Sequence, residues 1–155
     1  MQNSNIRDTL QSCGFLKNIS PEHLETISAY CNIDQYAAGD YIFRQGDLGD
    51  DLFIIADGYV FLEHIMDIGS HKRSVVIDAL GKGRTLGCWS TLLGEPLVLI
   101  SSANCQKDSM VIRLKGRQLR KFMQEDTQFG FFLLERLSFL LREHILAAYG
   151  AMEKI

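Results

Sequence analysis

Ala38-Gly39-Asp40-Tyr41-Ile42-Phe43-Arg44-Gln45-Gly46-Asp47, continued by Leu48-Gly49-Asp50-Asp51-Leu52-Phe53-Ile54-Ile55-Ala56-Asp57-Gly58-Tyr59-Val60, is the stretch on which the fold turns. Short apolar runs alternate with Gly-Asp pairs, the pattern of brief strands separated by turns. Gly39, Gly46 and Gly58 fall where a strand ends or reverses, positions that ask for a positive φ or a close backbone approach. Asp57-Gly58 between two apolar runs predicts a hairpin. Asp47, Asp50 and Asp51 form an acidic turn that lacks the spacing of a calcium loop.

Outward from this stretch the same rhythm continues. Strands are expected over Ile33–Ala37, Tyr41–Arg44, Leu52–Ala56, Tyr59–Met66, Arg73–Leu80, Val98–Cys105 and Met110–Leu114. The turns Ile68-Gly69-Ser70 and Gly81-Lys82-Gly83 separate them, and regular strands with turn pairs between them indicate an antiparallel sandwich or roll. Helices flank the strands. Asp8–Phe15 reads as a short helix. Ser20-Pro21-Glu22-His23 starts another, with a hydroxyl N-cap and Pro at the first helical position. Leu24, Ile27 and Cys31 form its apolar face. After Gly116 a short helix is expected over Arg117–Glu125 and a long one over Thr127–Glu153. The class is therefore α+β: one domain over 1–155, helical over 1–31, a jelly-roll-like β-roll (double-stranded β-helix) over 32–115, and C-terminal helices over 117–153.

At 100° per residue the long helix has a broad apolar face of Leu133, Leu134, Leu137, Leu140, Leu141, His144, Ile145, Ala148 and Met152. Phe132, Phe139 and Leu146 lie opposite, seven residues apart and flanked by Glu135, Arg136, Arg142 and Glu143. Heptad spacing with flanking charges is what a helix–helix seam requires, so a homodimer through these three residues is expected. Gly130 near the helix start is expected to be a flex point.

Composition narrows the functional classes. The chain has 155 residues, 46% apolar and 23% charged, enough to bury a core without disulfides or metals. Sixteen basic residues against 19 acidic leave a net charge of −3, which argues against a whole-chain electrostatic grip on nucleic acid or an anionic membrane. No apolar run approaches the ~18 residues of a membrane span. Met1–Asp8 is polar and lacks the apolar core of a secretory signal. Cys13, Cys31, Cys88 and Cys105 contain no Cys-x-x-Cys pair, so reduced thiols in a cytoplasmic protein are expected rather than a metal knuckle. His23, His64, His71 and His144 lack metal spacing, and none sits in a recognisable haem motif. No nucleophile elbow, Walker A sequence or His-Glu-x-x-His run is present, so an enzyme is not expected.

The quoted stretch resembles the cyclic-nucleotide-binding domain family, the β-roll shared by Crp/Fnr regulators, kinase regulatory subunits and nucleotide-gated channels. Gly39, Gly46 and Gly58 match the family's structural glycines. Gly83-Arg84-Thr85-Leu86-Gly87 resembles the entry to its phosphate-binding cassette, and Asp108–Leu114 the strand after it. The resemblance covers roughly residues 12 to 150. It implies an eight-stranded roll with N-terminal helices, a short cassette helix, and a C-terminal helix that dimerises in the bacterial regulators.

The resemblance also implies a ligand-binding cassette over Gly87, Cys88, Trp89, Ser90, Thr91, Leu99, Ser101 and Ser102. In the family a Glu after the cassette Gly takes the ribose hydroxyl and an Arg pairs with the phosphate. Here Cys88 stands at the Glu position, and Leu97–Ile100, where the Arg should fall, holds no cation. A charged hydrogen bond contributes ~1.5–3 kcal/mol, so tight binding of cyclic AMP or cyclic GMP is disfavoured and no cofactor is expected. Three readings of the cassette follow. It is filled by Trp89 and Leu97–Ile100 and the domain acts through dimerisation alone; or it takes a neutral, apolar ligand stacked on Trp89; or Cys88 is a redox-sensing thiol. The first ranks highest. The expected function is a cytoplasmic regulatory or sensor module, with a small molecule or a protein as partner. The alternatives are the effector-sensing part of a Crp/Fnr-type regulator and a true cyclic-nucleotide binder. No recognition helix follows the long helix before Ile155, so direct DNA binding is not expected of this chain.

Overall fold

The computed structural model describes the backbone of residues 2–87 and 89–154 and the side chains of 5–87 and 91–154. Helix α1 (Gln2–Ser12), a 3-10 turn (Gly14–Leu16) and α2 (Pro21–Ser28) precede the strands. Helix α1 begins earlier than expected and stops at Ser12. Its signal is Ile6, Leu10 and Cys13, spaced by four and three and all buried. Helix α2 starts as the sequence predicts: Ser20 Oγ accepts from His23 N–H at 3.2 Å, with Pro21 first in the helix.

Ten strands follow among the described residues: β1 (Cys31–Tyr36), β2 (Tyr41–Phe43), β3 (Leu48–Gly49), β4 (Asp51–Asp57), β5 (Val60–Asp67), β6 (Lys72–Leu80), β7 (Thr85–Leu86), β8 (Leu97–Val98), β9 (Ser102–Cys105) and β10 (Ser109–Lys115). All pairings are antiparallel. They form sheets of order β1-β10-β4-β7 and β2-β9-β5-β6, plus a β3-β8 pair. The fold is the antiparallel roll that the strand spacing indicated. The expected strand Val98–Cys105 divides into β8 and β9, because Leu99 to Ser101 turns between the small pair and the second sheet.

One expectation fails instructively. Asp57-Gly58 does not close a hairpin, because β4 and β5 belong to different sheets. It is a corner. Gly58 has φ +137°, and a Cβ there would lie 2.1 Å from Ser109 Oγ on the neighbouring strand. The dipeptide signals a reversal of backbone handedness, and that is equally the requirement of a strand that changes sheets.

Strand β4 explains why two cores form. Its central residues are all buried: Leu52, Ile54 and Ala56 face the helical side, while Phe53 and Ile55 face the inside of the roll. A continuous apolar run without polar alternation is what burial on both faces demands. A short helix α3 (Trp89–Leu93) lies between β7 and β8, and the helical core joins α1, α2, α4 (Gly116–Glu125) and α5 (Thr127–Met152) to the first sheet through Leu10, Leu16, Ile27, Leu119, Phe129, Leu133 and Leu137.

At the α4–α5 elbow, Asp126 caps α5, its Oδ1 accepting from Phe129 N–H at 3.1 Å. Its Oδ2 lies 2.9 Å from His23 Nε2, and these hydrogen bonds hold the Asp126 carboxyl below the usual range. Gly130, expected as a flex point, lies at a close helix–helix contact. A Cβ there would sit 2.3 Å from the Met123 carbonyl oxygen, so the glycine exists to let α4 and α5 touch.

The expected seam on α5 is split. Phe132 is half-buried and packs on Phe129 at 6.3 Å, so it belongs to its own domain's core. Phe139 and Leu146 remain exposed. The wheel placed this face about 180° from the core, whereas Phe132 lies close enough to the α4–α5 contact to be covered. The most exposed apolar residues of α5 are Phe131, Leu146, Tyr149 and Met152, with Phe139 and Ile145 next.

Candidate functional site: a cavity between the roll and the long helix

Alternation along β5 puts Leu62, His64 and Met66 on one side of the second sheet, and Val75 and Ile77 of β6 join them. Helix α5 crosses this surface with His144, Ala147, Ala148, Ala151 and Met152. The three alanines carry too little side chain to close the gap. A cavity of about 290 Å³ remains, rimmed by Ile100 and Ser101. The rim is held by His64, whose Nδ1–H donates to the Ile100 carbonyl at 2.7 Å.

The wall is mostly hydrocarbon. Its polar members are His64, Asp78, Ser101 and His144, and among the described residues it contains no Lys or Arg. Burial pushes the His144 imidazole below its ordinary pKa. Asp78 and the Thr85 backbone oppose that shift, and Arg84 reinforces it. Asp78 is already engaged, with Oδ1 accepting from Ala79 N–H at 2.9 Å and Oδ2 3.5 Å from Arg84 Nη2. Arg84, which precedes Gly87, is thus held by a carboxylate and does not line this cavity.

Of the site residues expected from the sequence, Ser101 alone among those with described side chains lines this cavity. Gly87 has φ +73° and a virtual Cβ 2.9 Å from the Asp51 carbonyl oxygen, so its role is to pass a strand closely. Thr91 is fully buried with Oγ1 unpartnered, and its carbonyl and that of Leu92 accept from Arg120 at 3.4 and 2.9 Å. Leu99 packs against Gly49 under the β3–β8 pair. Ser102 is buried and its Oγ accepts from Gln45 N–H at 2.8 Å. Cys88 and the side chains of Trp89 and Ser90 lie outside the described residues.

Trp89 and Leu97–Ile100 were expected to fill the pocket; the Trp89 side chain lies outside the described residues. Leu97 and Val98 form β8, Leu99 turns to Gly49, and only Ile100 reaches the cavity. Sequence reasoning missed His64 and Asp78. His64 is in phase with Leu62 and Met66 along a period-2 strand, which is a signal the sequence contains. His144 was placed on the inward face of the long helix by the 100° wheel, and it lines the cavity.

Comparison with known proteins adds four findings. The family model described as "Cyclic nucleotide-binding domain" matches residues 33–126. The human cGMP-dependent protein kinase 2 is 33% identical over 81 residues, which is 52% of this chain and 10% of that protein, so the chain spans about a tenth of this relative. Among solved structures, a cyclic nucleotide-binding domain from Methylobacillus flagellatus superposes with TM-score 0.79 at 18% identity, covering 99% of this chain and 84% of the other. The sensor domain of the transcriptional regulator DNR from Pseudomonas aeruginosa superposes with TM-score 0.72 at 20% identity, covering 93% of each.

Proposed function

Since the chain belongs to the cyclic nucleotide-binding domain family, we propose that it is a ligand-sensing regulatory domain whose cavity accepts an uncharged, largely apolar molecule in preference to a cyclic phosphodiester. The observation that carries this reading is the wall itself: Ile100 stands at the rim, where the family's phosphate partner is expected, and among the described residues the lining has no Lys or Arg, only the carboxylate of Asp78, which Arg84 already engages from outside. A phosphodiester seated there would meet an anion and hydrocarbon, and desolvating it without a partner is costly. The volume of about 290 Å³ is at the lower end of small-molecule sites, which suits a ligand smaller than a nucleotide.

Signal output would pass through α5, which forms one side of the cavity with Ala147, Ala148 and Ala151. A ligand that wedges between these alanines and β5 biases the helix position, a population shift between two placements of one packed element. The domain is a homodimer on this reading, paired through the outward face of α5. Support comes from Phe131, Ile145, Tyr149 and Met152, which are 71%, 45%, 62% and 62% exposed. Phe131, Ile145 and Met152 fall on one heptad position, and a row of this kind in water favours pairing. This replaces Phe132 as a seam residue while leaving Phe139 and Leu146 at its margin.

Isothermal titration with cyclic AMP, cyclic GMP and a neutral aromatic probe such as indole tests the ligand reading. Indole binding that is abolished by Ala148→Phe, with neither nucleotide binding below about 100 μM, supports it. Submicromolar nucleotide binding refutes it. Sedimentation of wild type and Ile145→Glu tests the pairing, which fails if the wild type is monomeric at tens of micromolar.

A further inference from the structure

On the other side of α5 lies a second depression of about 670 Å³, bounded by the helix, Gly14–Phe15 and the Gly83–Thr85 turn. It is chemically unlike the first. Arg84, Arg136 and Arg142 line it beside the carboxylate of Glu143, and since the Arg84 guanidinium is already paired with Asp78 at 3.5 Å, Arg136 and Arg142 are the cations left to face a ligand. That is a local excess of positive charge on a chain whose net charge is −3. Arg136 is fixed in place: Nη2 donates to the Lys17 carbonyl at 2.9 Å and Nη1 to the Gly14 carbonyl at 3.5 Å. Arg142 lies over the Phe139 ring, 5.2 Å from its centroid, and among the described residues forms no ion pair.

Two further features point to a ligand. Thr85 lines the groove and is 2% exposed, yet its Oγ1 has no hydrogen-bond partner among the described residues. A buried hydroxyl left unpaired costs roughly 1–3 kcal/mol in general, so a small shift that opened this oxygen to a bound donor or acceptor would be favoured. Beside the charges, Phe139 and Leu146 present apolar surface that is 45% and 63% exposed. Neither cation nor hydrocarbon alone describes the site.

We propose that this groove binds a small amphipathic anion: a free carboxylate or phosphate ester carrying an aliphatic or aromatic body. The head meets the guanidiniums, which pair with planar or tetrahedral oxyanions through directed N–H donors. The body covers Phe139 and Leu146. The volume lies within the range of sites for ligands of this size. The site adjoins the first cavity through the Arg84–Asp78 pair, but it is lined by a different set of α5 residues.

The test is calorimetric titration of the full chain with decanoate, with decanol as body without charge and inorganic phosphate as charge without body. Decanoate is expected to bind about tenfold tighter than either control and to weaken about tenfold in Arg142→Gln, whose exposed position leaves folding intact. Ala148→Phe, which blocks the other cavity, is expected to leave decanoate binding unchanged. Equal binding of decanol and decanoate, no change in Arg142→Gln, or loss of decanoate in Ala148→Phe alone would each overturn the proposal. The last outcome would assign the ligand to the cavity instead, so failure here is distinguishable from failure of the sensor reading.

Discussion

The guanidinium of Arg84 stands 3.5 Å from the carboxylate of Asp78, so this cation is already engaged beside the cavity. Arg84 is the cation nearest in sequence to the cassette glycine Gly87, and it is the natural candidate to replace the arginine absent from Leu97–Ile100. Its engagement with Asp78, outside the cavity lining, leaves the wall with a carboxylate and two imidazoles.

If the missing cation is what excludes a cyclic phosphodiester, restoring it should admit one. Ile100→Arg puts a guanidinium at the rim beside Ser101. Cyclic AMP affinity is expected to rise about 10- to 100-fold over wild type, the equivalent of one charged hydrogen bond, while Ile100→Leu leaves it unchanged. Calorimetry with the three proteins measures this, and equal affinities would show that charge is not the deciding property.

Gly130→Ala is expected to destabilise the domain by about 2 kcal/mol or more, because the new methyl group would overlap the Met123 carbonyl at 2.3 Å. Urea unfolding gives the value. A change under about 0.5 kcal/mol would restore the idea of a flexible elbow at this position.

The pH dependence follows from His144. Burial holds its folded pKa below the ordinary value, with Asp78, Glu143, Arg84 and the Thr85 backbone as the neighbouring groups. The unfolded chain therefore takes up the proton first. The stabilising contribution is complete above about pH 6.5, the ordinary histidine value, and is lost progressively as pH falls through it toward the folded pKa. His144→Gln should flatten the fall in thermal midpoint between about pH 6.5 and 5 relative to wild type. Parallel curves for the two proteins would contradict the assignment.

The described thiols are predicted to be unreactive. Burial raises the pKa of Cys13 and Cys105, and pushes Cys31 up to about 12. Thiolate is the reacting species, so labelling of these three at pH 7 should be slower than for free cysteine. Any fast-reacting thiol then belongs to Cys88 and disappears in Cys88→Ser. Fast labelling that persists in that variant would refute the burial argument.

Much of the architecture was legible in the residue pattern, for identifiable reasons. The unbroken apolar run of β4 and the Ser20-Pro21 start of α2 are local signals with one structural solution each. Asp57-Gly58 misled because the dipeptide encodes a backbone handedness, and both a hairpin and a sheet-to-sheet corner require it. Gly130 misled for a related reason: the absence of a side chain reads as flexibility until the Met123 carbonyl is seen beside it. The site was legible only in what it lacks. Leu97–Ile100 announced the missing cation, but the cavity itself is assembled from the consecutive strands β5 and β6 and from α5, whose lining residues come 66 to 90 residues later in the chain. No local pattern reports that Ala147, Ala148 and Ala151 come to rest over Leu62 and His64.

The central claim is that the fold of a cyclic-nucleotide domain is retained here around a pocket that rejects cyclic phosphodiesters. Direct titration of the wild-type chain with cyclic AMP and cyclic GMP tests it. The account predicts no saturable binding below about 100 μM for either nucleotide. A submicromolar dissociation constant, lost in Ala148→Phe, would contradict it.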